Sequence, residues 1–250
     1  MNRRQALVLL PGLAATTFST DLRAGIDVGG MLGAATDAAK AATLTDQQVR
    51  DYAAQMAKYS DKQASIAPAS SPYGQRLVSL TNGLTEDGGL KLNYKVYMVK
   101  QVNAFAMADG TIRLYSGLMD MMTDDELRYV IGHEMGHVKH GHTKKRMQTA
   151  LAASAAQKGV AASGTRAGAL ADSQLGDLIV QVVRAQHSQG NEREADDYAM
   201  GFMSRRKYDR KACVTALEKL DKMGGGGGSN WLSTHPSPKE RAERMRKAIA

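Results

Sequence analysis

The residues best equipped for chemistry are His133-Glu134-Met135-Gly136-His137. On a helix, residues four apart share a face about one turn from each other. Both imidazoles therefore project to one side, the spacing two ligands of a single tetrahedral zinc require. Glu134 sits one step round the helix, where a carboxylate can take a proton from an attacking water without ligating the ion. The competing reading is a core helix whose histidines are satisfied by hydrogen bonds, and the pentapeptide alone leaves both open.

Zinc needs a third protein ligand. Asn191 to Ala199 reads as a second helix on which Glu192 and Asp196 share a face. Glu192 can bind the ion there while Asp196 hydrogen-bonds the outer nitrogen of a ligating histidine. A solvated acidic helix face would carry the same pattern. Glu194 points to another face and is the weaker candidate.

The elements that must position these groups are signalled in turn. Thr123-Asp124-Asp125-Glu126 is a capping box, with Leu127, Val130 and Ile131 following at helical spacing. Thr45-Asp46-Gln47-Gln48 opens another helix with Val49, Tyr52, Ala53 and Met56 as its apolar stripe, and Leu77, Leu80 and Leu84 suggest a third after the turn at Pro68 to Pro72. Tyr94 to Val99 is β-prone, and Asn103 to Met107 pairs with Thr111 to Tyr115 across Ala108-Asp109-Gly110, a hairpin signal. Ala150 to Ala171, rich in Ala, Gly and Ser, reads as a lid or crossover before a buried helix at Ser173 to Gln186. A five-glycine run from Gly224 delivers Trp231 and His235, and Ser237-Pro238-Lys239-Glu240 starts a last helix. On its tether His235 could become a temporary fourth ligand, donate to an oxyanion, or simply pack against Pro236. His140, His142 and His187 read as packing or surface histidines rather than ligands. The fold expected is α+β, mostly helical, with a small sheet or hairpin beside the metal-binding helix.

These motifs resemble the HtpX and CAAX-protease type of zinc metallopeptidase, a gluzincin-like family with His-Glu-x-x-His followed by Glu-x-x-x-Asp. Asn103 to Ala108, Val138 to His142, and His235-Pro236-Ser237-Pro238 ahead of an Arg-rich helix extend the likeness, which runs from Leu44 to Arg246. Tyr94 to Met98, Val102 to Ala108 and Tyr115 to Thr123 are most similar to the LoiP-like group of bacterial envelope metalloproteases. The resemblance implies one zinc per chain on His133, His137 and Glu192, with Glu134 as general base and Asp196 behind the ligands. It also implies a substrate-holding strand at Asn103, Ala104, Phe105 and Ala106. Two departures stand out: Ser188-Gln189 replaces the family's Ser-Arg, and no lipid-bearing cysteine follows the leader.

Composition sets the surroundings. The 250 residues suffice for one core, expected as a single metallopeptidase domain over 44–250. A net charge of +8 without a nucleic-acid motif speaks against nucleic acid and for contact with an anionic membrane surface; envelope assembly proteins are the other contact expected. The single cysteine, Cys213, excludes an intrachain disulfide framework and reads as a core residue. Met1-Asn2-Arg3-Arg4 followed by Ala6 to Ala15 reads as a signal peptide over 1–19, with a twin-arginine character, and 20–43 as a flexible Gly/Ala-rich lead-in. The expected protein is thus an exported, periplasmic zinc metalloendopeptidase that hydrolyses unfolded or damaged envelope proteins. The alternative is a zinc-containing, proteolytically latent periplasmic chaperone or assembly factor.

Overall fold

The computed structural model describes residues 44–87, 89–158, 172–223 and 230–249. The expected signal peptide and lead-in, residues 159–171 of the crossover and the glycine run lie outside them.

Helix α1 (Asp46–Gln63) begins where expected: the Gln48 N–H donates to the Thr45 hydroxyl, and the Gln48 side chain accepts from the Thr45 N–H at 2.9 Å. Helix α2 (Pro72–Leu80) is capped by Ser71 and has proline in its first turn. A two-stranded ribbon, β1 (Glu86–Asp87) with β2 (Leu90–Lys91), precedes the main sheet. That sheet has the order β3-β5-β4: β3 (Asn93–Tyr97) runs parallel to β5 (Thr111–Tyr115), and β4 (Ala104–Ala106) antiparallel to it. The hairpin sits where the Asp-Gly signal puts it. Gly110 supplies the left-handed residue at φ 87°, and the Asp109 carboxylate accepts from the N–H and hydroxyl of Thr111.

The helices that follow are α3 (Ser116–Met121), α4 (Asp124–Lys139), α5 (His142–Lys158), α6 (Asp172–Arg184), α7 (Gln189–Arg205), α8 (Lys211–Met223), α9 (Asn230–Thr234) and α10 (Pro238–Ile249). The architecture is mostly helical with a small sheet, as expected for an α+β chain. One expectation is corrected: Ala150 to Lys158 belongs to α5. Alanine is the best helix former, so an Ala-rich stretch without apolar periodicity can still extend a helix.

The sheet lies between two helical layers, as its two-residue side-chain period demands. Ala104, Ala106, Ile112 and Leu114 face a core with buried residues of α4, α7, α8 and α10. Phe105 and Met107 face a second cluster with α1, α5 and α6. On that second side Arg113, 2% exposed, donates to both oxygens of Asp61 at 2.9 and 3.0 Å. Lys95 and the Tyr97 hydroxyl donate to the same carboxylate, each at 2.7 Å. This part-buried ion network ties α1 to the sheet.

Candidate metal centre

The site begins with α4. Its amino end carries the expected capping box, the Glu126 carboxylate accepting from the Thr123 N–H at 2.7 Å. Leu127, Val130, Ile131 and Met135 anchor the helix in the core; full burial of such side chains contributes about 1.5–3 kcal/mol each. Gly132 and Gly136, one turn apart, form the face that meets α7. A methyl at Gly132 would stand 2.8 Å from the Phe202 ring, so the crossing helix lies almost on the backbone of α4. That approach carries Glu192 over the two histidines.

Three donors result. His133 Nε2 and His137 Nε2 are 3.0 Å apart, and Glu192 places Oε1 3.3 Å from His137 Nε2 and Oε2 3.5 Å from His133 Nε2. Ligands about 2.0 Å from a tetrahedral ion stand roughly 3.3 Å from one another, so this triangle has the size of a coordination face. A fourth donor comes from His235, and one ligand atom from each of the four buried residues lies within 4.8 Å of the others.

The protons on these groups follow from their partners. The Thr234 hydroxyl donates to the Trp231 carbonyl at 3.0 Å, so it accepts from His235 Nδ1–H at 2.8 Å, and Trp231 O also accepts at 3.2 Å. His235 Nε2 is therefore a bare lone pair. It has no hydrogen-bond partner, nor has Glu134 Oε1, 3.5 Å away, nor Glu192 Oε1. Three buried polar atoms without partners, beside two converging imidazoles, fit a divalent cation.

Behind these donors stands a ring of supports. Asp196 Oδ1 accepts from His133 Nδ1 at 2.9 Å and from the Tyr129 hydroxyl at 2.8 Å. Arg241 donates to both Asp196 oxygens, at 2.9 and 2.7 Å, and to Glu192 Oε2. Its guanidinium lies 5.2 Å from the Trp231 ring centre, and Trp231 in turn stacks on His235 at 4.4 Å. His187 stacks on His137 at 3.7 Å and receives a hydrogen bond from Arg146.

Electrostatics tell the same story. Burial lowers the His133 pKa, but its hydrogen bonds to Asp196 and Glu192 prevail and raise it to about 9. His137 is pushed down to about 3 by burial. Burial would also raise Asp196 and Glu192, yet Arg241 and His133 hold both well below the ordinary carboxylate range. The centre thus attracts positive charge. Glu134 is pushed up to about 7 by burial, against the pull of the neighbouring His133.

His133, Glu134, His137, Glu192, Asp196 and His235 are thus brought together, with β4 at their side through Ala106. Phe105 turns its side chain to the second core, while Asn103 Oδ1 accepts from the Ala104 N–H at 3.0 Å. His140, exposed at the C-cap of α4, is not among the four donors; its ring lies against those of His142 and Tyr198. Gln189, where the family pattern has arginine, reaches the Ser237 hydroxyl at 3.5 Å. Sequence reasoning did not single out Arg241, Tyr129 or Arg146. Arg241 stood only within an Arg-rich helix.

A model of peptidase family M48 matches residues 75–249. Metalloprotease LoiP of Escherichia coli K12 is 44% identical over 243 residues, which cover 97% of this chain and 96% of that protein. Metalloprotease YcaL of the same organism is 37% identical over 251 aligned positions, 100% of this chain and 99% of its own length. The beta-barrel assembly-enhancing protease of E. coli K12 is 30% identical over 180 residues, 67% of this chain but 36% of that larger protein.

Proposed function

The chain belongs to peptidase family M48, and from that premise we propose that it is an exported zinc metalloendopeptidase acting on unfolded or damaged cell-envelope proteins. His133, His137 and Glu192 hold the ion and Glu134 is the general base. The observation that carries this reading is the convergence of His133 Nε2, His137 Nε2 and a bare Glu192 oxygen beside an equally bare oxygen of Glu134. When bound, zinc supplies a Lewis acid for the scissile carbonyl and lowers the pKa of the attacking water.

The chain's own residues do the rest. Glu134 takes a proton from the attacking water and returns it to the leaving amine. Asp196 fixes the His133 tautomer so that Nε2 faces inward. Strand β4 is an edge strand and packs beside α4, the helix that carries Glu134. A peptide pairing along Asn103 to Ala106 would therefore run past the base, held by main-chain hydrogen bonds that read extended backbone rather than particular side chains. This favours unfolded proteins as substrates. The basic N-terminal leader supports export to the periplasm, and the net charge of +8 supports contact with anionic lipid surfaces. The name of the beta-barrel assembly-enhancing relative supports envelope assembly proteins as partners.

One observation favours a latent form as well. With its proton on Nδ1, His235 offers a lone pair and no donor, so here it completes a four-donor set instead of serving an oxyanion. Hydrolysis requires that ring to leave. A zinc-containing chaperone or assembly factor would keep it in place.

Purified protein, analysed for metal and incubated with unfolded casein with and without a chelator, tests both readings. Glu192→Ala is expected to lose zinc, and Glu134→Gln to keep zinc while losing cleavage about 10²–10⁴-fold. Full cleavage by Glu134→Gln would remove the base. Zinc without any cleavage by the wild type would favour the latent reading.

A further inference from the structure

Between α4 and α5 the chain turns at Gly141, whose φ of 73° lets the next helix start after only two intervening residues. His142, first in α5, is thereby folded back beside His137, and the two Nδ1 atoms are 3.0 Å apart. On its other side His142 Nε2 lies 2.8 Å from Glu194 Oε2. Glu194 reaches it because α7 crosses α4 at Gly136 and Ala195, the neighbouring position.

Only one arrangement of protons lets His137 serve as a ligand through Nε2. Its own proton must then sit on Nδ1 and be donated to His142 Nδ1. His142 consequently carries its proton on Nε2 and donates it to the Glu194 carboxylate. We propose that His142 and Glu194 are positioning residues, a carboxylate–imidazole relay that fixes the tautomer and ring orientation of His137. Asp196 does the same for His133 without an intermediary. The inference rests on the reading of His137 as a ligand.

The two supports differ in strength. Asp196 is fully buried, whereas the Glu194 side chain is 58% exposed, so water competes for its hydrogen bond. Partners of metal ligands are worth about 10–100-fold in metal affinity. Glu194 belongs at or below the lower end of that range.

The exposed glutamate also makes a clean test, because substitutions at such positions rarely disturb folding. Zinc affinity of the metal-depleted protein is measured by chelator competition, and the geometry by the visible spectrum of the cobalt-loaded form. Glu194→Ala is expected to weaken zinc binding about three- to tenfold and to shift the cobalt bands, with the metal-free melting temperature unchanged. Glu194→Gln, whose amide oxygen can still accept from His142, is expected to recover part of the loss. His142→Asn keeps an acceptor for His137 but cannot span to Glu194, so adding Glu194→Ala to it is expected to change nothing further. Wild-type zinc affinity and an unaltered cobalt spectrum in Glu194→Ala would overturn the relay, as would a full additional loss in the His142→Asn background. A wild type that binds no zinc would instead overturn the ligand reading itself.

Discussion

Gly136 of α4 meets Ala195 of α7 so closely that a methyl group added to it would stand 2.8 Å from the Ala195 Cα and 2.9 Å from its carbonyl oxygen. The obstacle is backbone, which cannot swing aside as a side chain can. Glu192 lies one helical turn before this contact, so its reach to His137 depends on the helix separation set here.

Gly136→Ala is therefore expected to force α4 and α7 apart, at a cost of about 1–3 kcal/mol, and to weaken zinc binding. Gly132→Ala meets mainly the Phe202 ring, at 2.8 Å, which can shift. It is expected to lower stability while sparing more of the metal affinity. Urea unfolding of the metal-free forms, with zinc titration of each, separates the two.

This crossing also shows what the sequence could and could not reveal. Helix α4 was legible because its capping box and histidine spacing are local, and the hairpin because Asp109-Gly110 specifies its turn. Glu192 and Asp196 were legible as a pair because i, i+4 places them on one face. Arg241 was not. Its place depends on the reversal between α9 and α10, where Ser237 takes a φ of 57° that no local pattern announces. The link from His142 to Glu194 escaped for a similar reason, since it needs both the turn at Gly141 and the α4–α7 crossing.

Asp61 gives a prediction about stability and pH. Burial would raise its pKa, but hydrogen bonds from Arg113, Lys95 and Tyr97 prevail, and the folded-state value lies below the ordinary 3.8. A depressed carboxylate pKa stabilises the fold above the unfolded value, and that contribution disappears as pH falls through the folded value. Asp61→Asn leaves the buried Arg113 uncompensated and is expected to cost about 3–5 kcal/mol at neutral pH. The difference from wild type should shrink below the ordinary carboxylate range. Denaturant unfolding from neutral to strongly acid pH checks this, and a gap that stays constant through acid would remove the network from the account.

Arg241 neutralises two buried carboxylates at once, Asp196 and Glu192. Its removal should matter most when no cation sits among the ligands. Arg241→Met is expected to destabilise the metal-free protein by about 3–5 kcal/mol, with saturating zinc recovering part of the loss because the ion then supplies Glu192 with the positive charge the variant lacks. Equal losses with and without zinc would mean that the arginine acts on packing against Trp231 alone. Parallel melting curves of both forms supply the comparison.

His235 offers the sharpest test of the resting state. Its ring lies flat on Trp231, at an interplanar angle of 6°, and its Nδ1–H is held by the Thr234 hydroxyl and the Trp231 carbonyl. The bare Nε2 is thus aimed by three contacts to the short helix that precedes it, and these must break to withdraw it. His235→Phe keeps the stack and loses the lone pair. It is expected to retain zinc through His133, His137 and Glu192 and to raise basal casein cleavage, because the fourth corner is then open to water and substrate. A donor to the oxyanion would give the opposite sign, a fall in kcat of about 10²–10³ with zinc content unchanged. The direction of that one change, measured beside metal content, decides whether the ring restrains the site or serves the reaction.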